Sequence, residues 1–421
     1  VKLALAVALN LGLALLLGQW LRQRLSAPRL GRWLLPLLAA KLVACIIATA
    51  LIGGDPAYYS NWSQAFTEQF WASPAAWLRT LASDEFHFAG RHLVFHGFSN
   101  TLFFIKLLSV LNLAALGNAF LLGLYCSLFC FVASWELARV VNRIWPETPV
   151  GAVLVGFLSW PTVVYWTAGI TKESLLMGSG AGLTALVLDW LYGARPIRAG
   201  AVLAALVLAV LHFQMRFFFA GLLLAGLTGL SIIWLMQRLG GAQRRWVQVL
   251  LLAGWLTGGA WLLGQLSPVF TLNKFTSRLI INYHTMQANS AGRPHVEYPN
   301  LRPTVESLLY HAPRAVADTL SRPWPWEGRQ SLYMAAGIEN LLLLALVVWS
   351  VGAVARGRGG RLPFAVVLVL LTYDVLLAAL LGLSTPNLGT LNRYRAALLP
   401  YVLLLVLQHE GAARWLRRIG M

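Results

Sequence analysis

The sequence predicts an all-α polytopic integral membrane protein, and three observations carry that prediction. Of 421 residues, 58% are apolar and only 11% are charged, where a soluble domain carries about a quarter charged residues. The apolar residues gather in runs long enough to cross a hydrocarbon core of about 30 Å. The 33 Lys and Arg against 15 Asp and Glu leave a net charge of +18, and the arginines cluster in the short segments between runs. In a soluble protein that charge would point to nucleic acid. Distributed between apolar runs it is an orientation signal, and nucleic acid is not an expected partner. Cys45, Cys126 and Cys130 all fall inside apolar runs, a pattern of small core residues rather than a disulfide framework or a zinc set.

The apolar runs lie near 3–21, 33–52, 118–141, 150–168, 172–192, 197–211, 216–236, 246–266, 335–354, 363–382 and 394–410, about eleven spans at the usual length of about 20 residues. The first lacks a strongly basic start and a small-residue cleavage site, so it is expected to be a retained span. Arg22, Arg24, Arg29 and Arg32 mark a first cytoplasmic loop. Arg139 and Arg143, Arg195 and Arg198, Arg238, Arg244 and Arg245, and Arg356, Arg358 and Arg361 mark four more, and Arg414, Arg417 and Arg418 put the C-terminus inside. The N-terminus is then outside. The bookkeeping leaves Thr101 to Leu116 as a helix at the outer interface.

Five regions follow: N-terminal membrane helices over 1–52, an extracytoplasmic loop with interfacial helices over 53–117, a transmembrane core over 118–266, a large extracytoplasmic loop over 267–334, and C-terminal transmembrane helices over 335–421. Trp62, Phe66, Phe70 and Trp71 give the first loop an aromatic helical face beside the membrane. The second, broken by Pro268, Pro294, Pro299, Pro303, Pro313, Pro323 and Pro325, is expected to be a long loop without regular structure.

Candidate chemistry collects at the outer side. Asp55 follows Gly53-Gly54 and precedes Tyr58-Tyr59, a carboxylate on a flexible turn at the rim. Asp84 and Glu85 form an acidic pair ahead of His87, His92 and His96; on a helix, His92 and His96 would share a face. Lys172 and Glu173 follow Trp160-Pro161, where the proline opens the span, and Arg216 starts a later run on the same side. Lysine and arginine there suit either a ligand phosphate or lipid headgroups. Arg393 and Arg395 stand at an outer mouth, where the orientation rule disfavours them and an anionic partner is needed; the guanidinium fork suits a phosphate or pyrophosphate. In Arg322-Pro323-Trp324-Pro325-Trp326-Glu327, Trp324 and Trp326 can stack on a sugar ring and Glu327 can accept its hydrogen bonds. Lys41 and Asp374 lie mid-span, where a charge is costly unless paired or protonated, and are expected either to pair or to serve transport.

The order of these features resembles bacterial type C membrane glycosyltransferases, which use polyprenyl-phosphate sugars, and the related cell-envelope oligosaccharide polymerases. The resemblance rests on Gly54-Asp55 with Tyr59, on Phe157-Leu158-Ser159-Trp160-Pro161 through Thr171-Lys172-Glu173-Ser174, and on Asn392-Arg393-Tyr394-Arg395 through Pro400. It departs in placing the acidic pair at Asp84-Glu85, late in the first loop. It implies a type C fold in a bacterial inner membrane and a polyprenyl-phosphate- or pyrophosphate-linked sugar donor with a glycan acceptor. It also implies Asp55 as the base or metal-binding residue, with a divalent cation as the one conceivable cofactor. The expected reaction is an inverting transfer, with Asp55 deprotonating the acceptor and Arg393 and Arg395, assisted by Lys172 or Arg216, holding the leaving phosphate. The rival expectations are a transporter or flippase for an anionic or lipid-linked substrate, with Lys41 and Asp374 as its relay, and a non-catalytic scaffold.

The arginine pattern makes one direct prediction. Cysteines introduced at positions 295 and 330 react with an impermeant reagent on intact cells, and one introduced at 244 does not; labelling at 244 reverses the orientation.

Overall fold

The order in which helices form and break in this chain follows the positions of its prolines and of its few polar side chains. The computed structural model describes residues 1–27, 30–95, 97–266 and 271–421; Arg29, His96 and Pro268 fall outside them. The chain divides into two compact units, 1–136 with 164–183 and 202–217, and 137–163 with 184–201 and 218–421.

The first unit begins with α1 (Lys2–Leu25) and α2 (Gly31–Ala50), followed by α3 (Gly54–Ala72), α4 (Pro74–Ala82), the hairpin β1 (Glu85–Phe88) and β2 (Arg91–Val94), and α5 (Asn100–Ala115). It also takes in α6 (Ala119–Ile144) to Glu136, part of α9 (Lys172–Tyr192) and part of α10 (Ala199–Met215). Polar side chains fix the helix pairs where apolar packing alone is non-directional. Glu136 of α6 accepts from Trp20 Nε1 at 2.9 Å and from Arg24 Nε at 2.7 Å on α1. Asn10 donates to the Ala114 carbonyl at 2.9 Å and receives the Tyr125 hydroxyl at 2.7 Å. Between α3 and α5, Thr67 donates to the Ser109 carbonyl at 2.9 Å and Asn112 to Ser63 at 3.0 Å, all four residues being buried.

The aromatic face predicted on α3 is present, and the hairpin is what it meets. Phe86 is fully buried, stacks on Phe66 at 4.1 Å and takes the edge of Trp62 at 6.0 Å. The histidine segment, for which a helix is one reading, is not helical at His87 and His92: Ala89-Gly90, both at positive φ, turn the chain into an antiparallel hairpin. His87 lies opposite His92, with the rings 3.9 Å apart.

The second unit holds α7 (Val150–Leu154), α8 (Pro161–Trp166) to Val163, α11 (Phe217–Arg238) from Phe218, α12 (Arg245–Leu266), α13 (Leu272–Ala288), α14 (Val305–Ser321), α15 (Ser331–Ala355), α16 (Phe364–Ser384), α17 (Leu388–Tyr394), α18 (Leu399–Val406) and α19 (Glu410–Arg418), with the remaining parts of α6, α9 and α10. Two of its helices overturn the expectation of an irregular 267–334. α13 and α14 run 17 residues each, and α14 accommodates Pro313 because Leu308, His311, Ala315 and Thr319 recur at helical spacing and are buried on one side. That side lies along α16, where Thr319 donates to the Ala378 carbonyl at 2.9 Å.

Among the described residues, eight helices are long and apolar enough to cross a membrane: α1, α2, α6, α9, α11, α12, α15 and α16. The protein is thus helical and membrane-embedded. The other three expected spans are not single long helices. In 150–168, α7 gives way to a π-helical turn over Val155–Ser159, closed by Trp160 N to the Val155 carbonyl at 2.8 Å, and Trp160 is extended before Pro161 starts α8. Proline disfavours helical backbone in the residue before it, which accounts for the break. In 394–410, α17 passes through a 3-10 turn over Arg395–Ala397 into α18, with Pro400 in its first turn. The run at 197–211 forms α10, 17 residues long.

Candidate functional site

In the second unit the predicted segments around 322–327 and 387–395 come together, and Arg395 is the residue that joins them. Helix α14 ends at Ser321 with the carbonyls of its last turn lacking intrahelical partners. The fully buried Arg395 guanidinium supplies them: Nη1 donates to the Thr319 carbonyl at 3.3 Å and to the Arg322 carbonyl at 3.0 Å. Its charge also sits at the negative end of the α14 dipole. Nε donates to Asn392 Oδ1 at 3.0 Å and Nη2 to Asn340 Oδ1. Asn340, on α15, returns its own amide hydrogen to the Pro323 carbonyl at 2.8 Å. The expectation that Arg395 grips a ligand phosphate is therefore corrected, because a buried fork engaged with four protein acceptors has no exposed edge to offer. Arg393, two residues back on α17, is half-buried.

The turn after α14 is closed by its own ends. Arg322 pairs with Glu327 through both Nε, at 2.7 Å from Oε1, and Nη2, while Glu327 Oε2 accepts the Trp324 amide at 2.8 Å. Glu327, predicted to bind a sugar, instead braces this loop. What the brace presents is a pair of indoles: Trp324 and Trp326 stack with centroids 5.5 Å apart and planes 4° from parallel, and Trp326 is 73% exposed.

Beside this loop, Arg314 and Asp318 stand at i and i+4 on α14, and Arg322 follows its end with extended backbone. Asp318 Oδ2 receives the Tyr298 hydroxyl at 3.3 Å and lies 3.5 Å from Arg314 Nε. Burial raises the Asp318 carboxyl above its usual range, against the lowering pull of Arg322 and Arg314. Burial, with Asp318 beside it, likewise raises the Tyr298 phenol. Tyr298 is seated by its neighbours: its amide donates to the Tyr283 hydroxyl at 3.0 Å, and the strand-like contact of His295 with Asn387 ties this loop to the start of α17. Neither Asp318 nor Tyr298 was singled out from sequence. The i, i+4 pair of Arg314 and Asp318 was there to be found once residues 305–321 were read as a helix.

A comparison of the chain with protein-family models, with curated proteins and with solved structures finds no match.

Elsewhere in this unit, Glu339 of α15 accepts the Thr162 amide at 3.1 Å and its hydroxyl at 2.9 Å, covering the start of α8 that Pro161 creates. Asp374, mid-way along α16, is 5% exposed, and neither carboxyl oxygen has a hydrogen-bond partner among the described residues. Lys41, proposed above as its partner, belongs to the first unit, where its ammonium donates to Thr167.

In the first unit, Lys172 and Glu173 open α9 as a pair of opposite charges, each held by a different element. Lys172 is buried, donates to Asn100 Oδ1 at 2.9 Å and Thr101 Oγ1 at 2.7 Å, and lies 4.9 Å over the Tyr59 ring. Glu173 pairs with Arg216 at 3.0 Å, with side-chain exposures of 1% and 17%. The predicted cations Lys172 and Arg216 are thus tied into protein contacts, and a phosphate there would compete with them. Asp55 lies in the first turn of α3, one turn from Tyr59, with Gly53 as N-cap and Gly54 at φ +52°, and it is exposed. Asp84 and Glu85 are also exposed and line a groove of 470 Å³ with Arg79 and His87. Among the described residues no three His, Cys, Asp or Glu side chains converge as a metal site.

Two outcomes test this geometry. Arg395→Lys keeps the charge and loses the fork, so the purified protein melts earlier, by about 3 kcal/mol of stability on the scale of broken buried networks; Arg393→Lys does not. For Asp318, a raised folded pKa means that its protonated form is the one the fold favours. Stability from this group is present below the unfolded value of about 3.9 and is lost as pH rises through the folded value. Asp318→Asn flattens that decline in a pH series of thermal melts; an unchanged slope removes Asp318 as its source.

Proposed function

We propose that this membrane protein transfers or polymerises glycosyl units from polyprenyl-phosphate- or pyrophosphate-linked sugars at the outer face of a bacterial inner membrane. The observation that carries the reading is the Trp324–Trp326 stack, braced by Arg322–Glu327 and 73% exposed at Trp326. A rigid indole face suits the apolar face of a sugar ring and costs little entropy on binding. Charged groups at the end of α14 border it: burial raises the Asp318 carboxyl above its usual range, which makes its carboxylate a stronger proton acceptor, and Arg314 and Arg322 bring positive charge for a leaving phosphate. Arg393 remains the arginine proposed to reach the donor phosphate. Arginine clusters at Arg356, Arg358, Arg361, Arg414, Arg417 and Arg418 support placing the opposite ends of these helices in the cytoplasm. Activation of the sugar in the cytoplasm makes a nucleotide-binding fold unnecessary.

The chemistry is a single displacement. The acceptor hydroxyl attacks the anomeric carbon, its proton passes to a carboxylate, and the lipid phosphate leaves with the bonding pair. Asp55, which the resemblance assigns as that carboxylate, and Asp318 are the two candidates, and Asp84 with Glu85 is a weaker third. A transport reading is favoured by one observation, the buried Asp374 carboxyl without a hydrogen-bond partner among the described residues.

The deciding experiment is reconstitution of the purified protein with mixed polyprenyl-linked sugars and mass spectrometry of the lipid and glycan products. Trp326→Ala lowers product formation by about tenfold, the scale of one lost aromatic contact, and Arg393→Gln loses more than Arg393→Lys. Whichever of Asp55→Asn and Asp318→Asn abolishes product identifies the proton acceptor. Unchanged lipids, with substrate crossing sealed vesicles and movement lost in Asp374→Asn, overturn the reading in favour of transport.

A further inference from the structure

A second polar site lies at the arginine-rich end of the second unit. Three candidate membrane helices terminate there: α6 ends at Ile144, α15 at Ala355, and α16 begins at Phe364. A groove of 440 Å³ opens between these ends, lined by Glu147, Arg361, Gln408, Arg414 and Arg417 among others. Where apolar helices stop, a bilayer's headgroups begin.

The groove has a built floor and a charged wall. Its floor is Gln408, nine-tenths buried, with an Oε1 acceptor that has no partner among the described residues. A side chain at Gly360 would meet that oxygen at 2.3 Å, so the missing Cβ is what lets the amide lie there. The wall is α19, a nine-residue helix that buries Ala412, Ala413 and Leu416 against the protein and turns Arg414 and Arg417 outward one turn apart. On the opposite rim, Arg361 is paired with Glu147, both about two-thirds exposed. Glu410 also lines the groove.

We propose that this groove holds the headgroup of an anionic phospholipid, its phosphate between Arg414 and Arg417. Two guanidinium forks at helical i, i+3 spacing match the oxygens of one phosphodiester. Arg361 exchanges its exposed pairing with Glu147, which contributes little in water, for the same phosphate. Gln408 Oε1 accepts a hydrogen bond from a headgroup that carries a donor beside the phosphate, such as the glycerol hydroxyls of phosphatidylglycerol. Basic pockets at membrane helix ends bind such headgroups through the same electrostatics. The site is separate from the residues proposed for glycosyl transfer and does not depend on that reading.

Native mass spectrometry of the purified full-length chain tests it, with phosphatidylglycerol, phosphatidylcholine or inorganic phosphate as the added probe. The wild type retains phosphatidylglycerol at least about tenfold more tightly than phosphatidylcholine. In Arg414→Gln/Arg417→Gln that preference falls to within about twofold, and in Arg414→Lys/Arg417→Lys most of it survives because the charge remains. Gln408→Leu lowers the affinity for phosphatidylglycerol and leaves that for phosphatidic acid, which has no headgroup donor, unchanged. Equal retention of phosphatidylglycerol by the wild type and the double Gln variant overturns the proposal. Displacement of the lipid by inorganic phosphate at matched concentration overturns it in favour of a free anion. If the double variant does not accumulate, the single changes decide, since both arginines are exposed: a loss of about threefold or more in each supports the site, and no loss in either overturns it.

Discussion

A guanidinium sealed from water has to find every acceptor it needs inside the protein, and around Arg395 this requirement organises the polar end of the second unit. Its acceptors come from three elements that are distant in sequence: the end of α14, Asn340 on α15, and Asn392 on α17. Each of those groups has its own reason to seek a donor. The α14 carbonyls are the orphans of a helix terminus, and Asn340 already serves the Pro323 carbonyl, on a residue with no amide hydrogen of its own. One cation satisfies a helix end, orients a side-chain amide and fixes where α17 turns into α18. The loop carrying the paired indoles starts at the residue whose carbonyl Arg395 holds.

The first unit solves the same problem with neutralised charge. Lys172 is surrounded by hydroxyl, amide and aromatic partners, and its sequence neighbour Glu173 faces away to Arg216. Adjacent residues of opposite charge at a helix start thereby become anchors in two directions, one toward α3 and α5 and the other toward the α10–α11 junction. Both units show that a charged residue in an apolar chain is weak evidence of ligand binding until its partners are known. Side chains whose polar or aromatic surface stays accessible, such as Trp326, Asp55, Arg414 and Arg417, are better placed to meet another molecule.

Hydrophobic periodicity and arginine placement made the helical membrane class legible, because both follow from the length of an apolar segment and the cost of burying charge. Eight of the expected spans are single long helices for that reason. The breaks at Pro161 and Pro400 were visible as residues, but how far a run is interrupted depends on what covers the freed backbone, here Glu339 for one and the Arg395 turn for the other. Proline also misled in the opposite direction: counted as a breaker in 267–334, Pro313 sits within α14, whose buried face on α16 outweighs one lost amide hydrogen bond. In the histidine segment spacing left the phase open, and Ala89-Gly90, both at positive φ, specify the two-residue turn that decides it. At the site, 322–327 and 387–395 were each legible as candidate segments, but the role of Arg395 was not, because a lone sequence cannot distinguish a guanidinium facing a ligand from one facing a helix end.

The position of Arg395 in the chain has a consequence for biosynthesis. A ribosome delivers α14 and α15 before it delivers α17, so the Thr319 and Arg322 carbonyls and the Asn340 amide already exist when the arginine emerges. Until then those acceptors must be solvated by water or by the insertion machinery. The segment around residue 395 therefore acts as a late latch: translation that stops before it leaves the end of α14 uncapped although the long helices that precede it are already made.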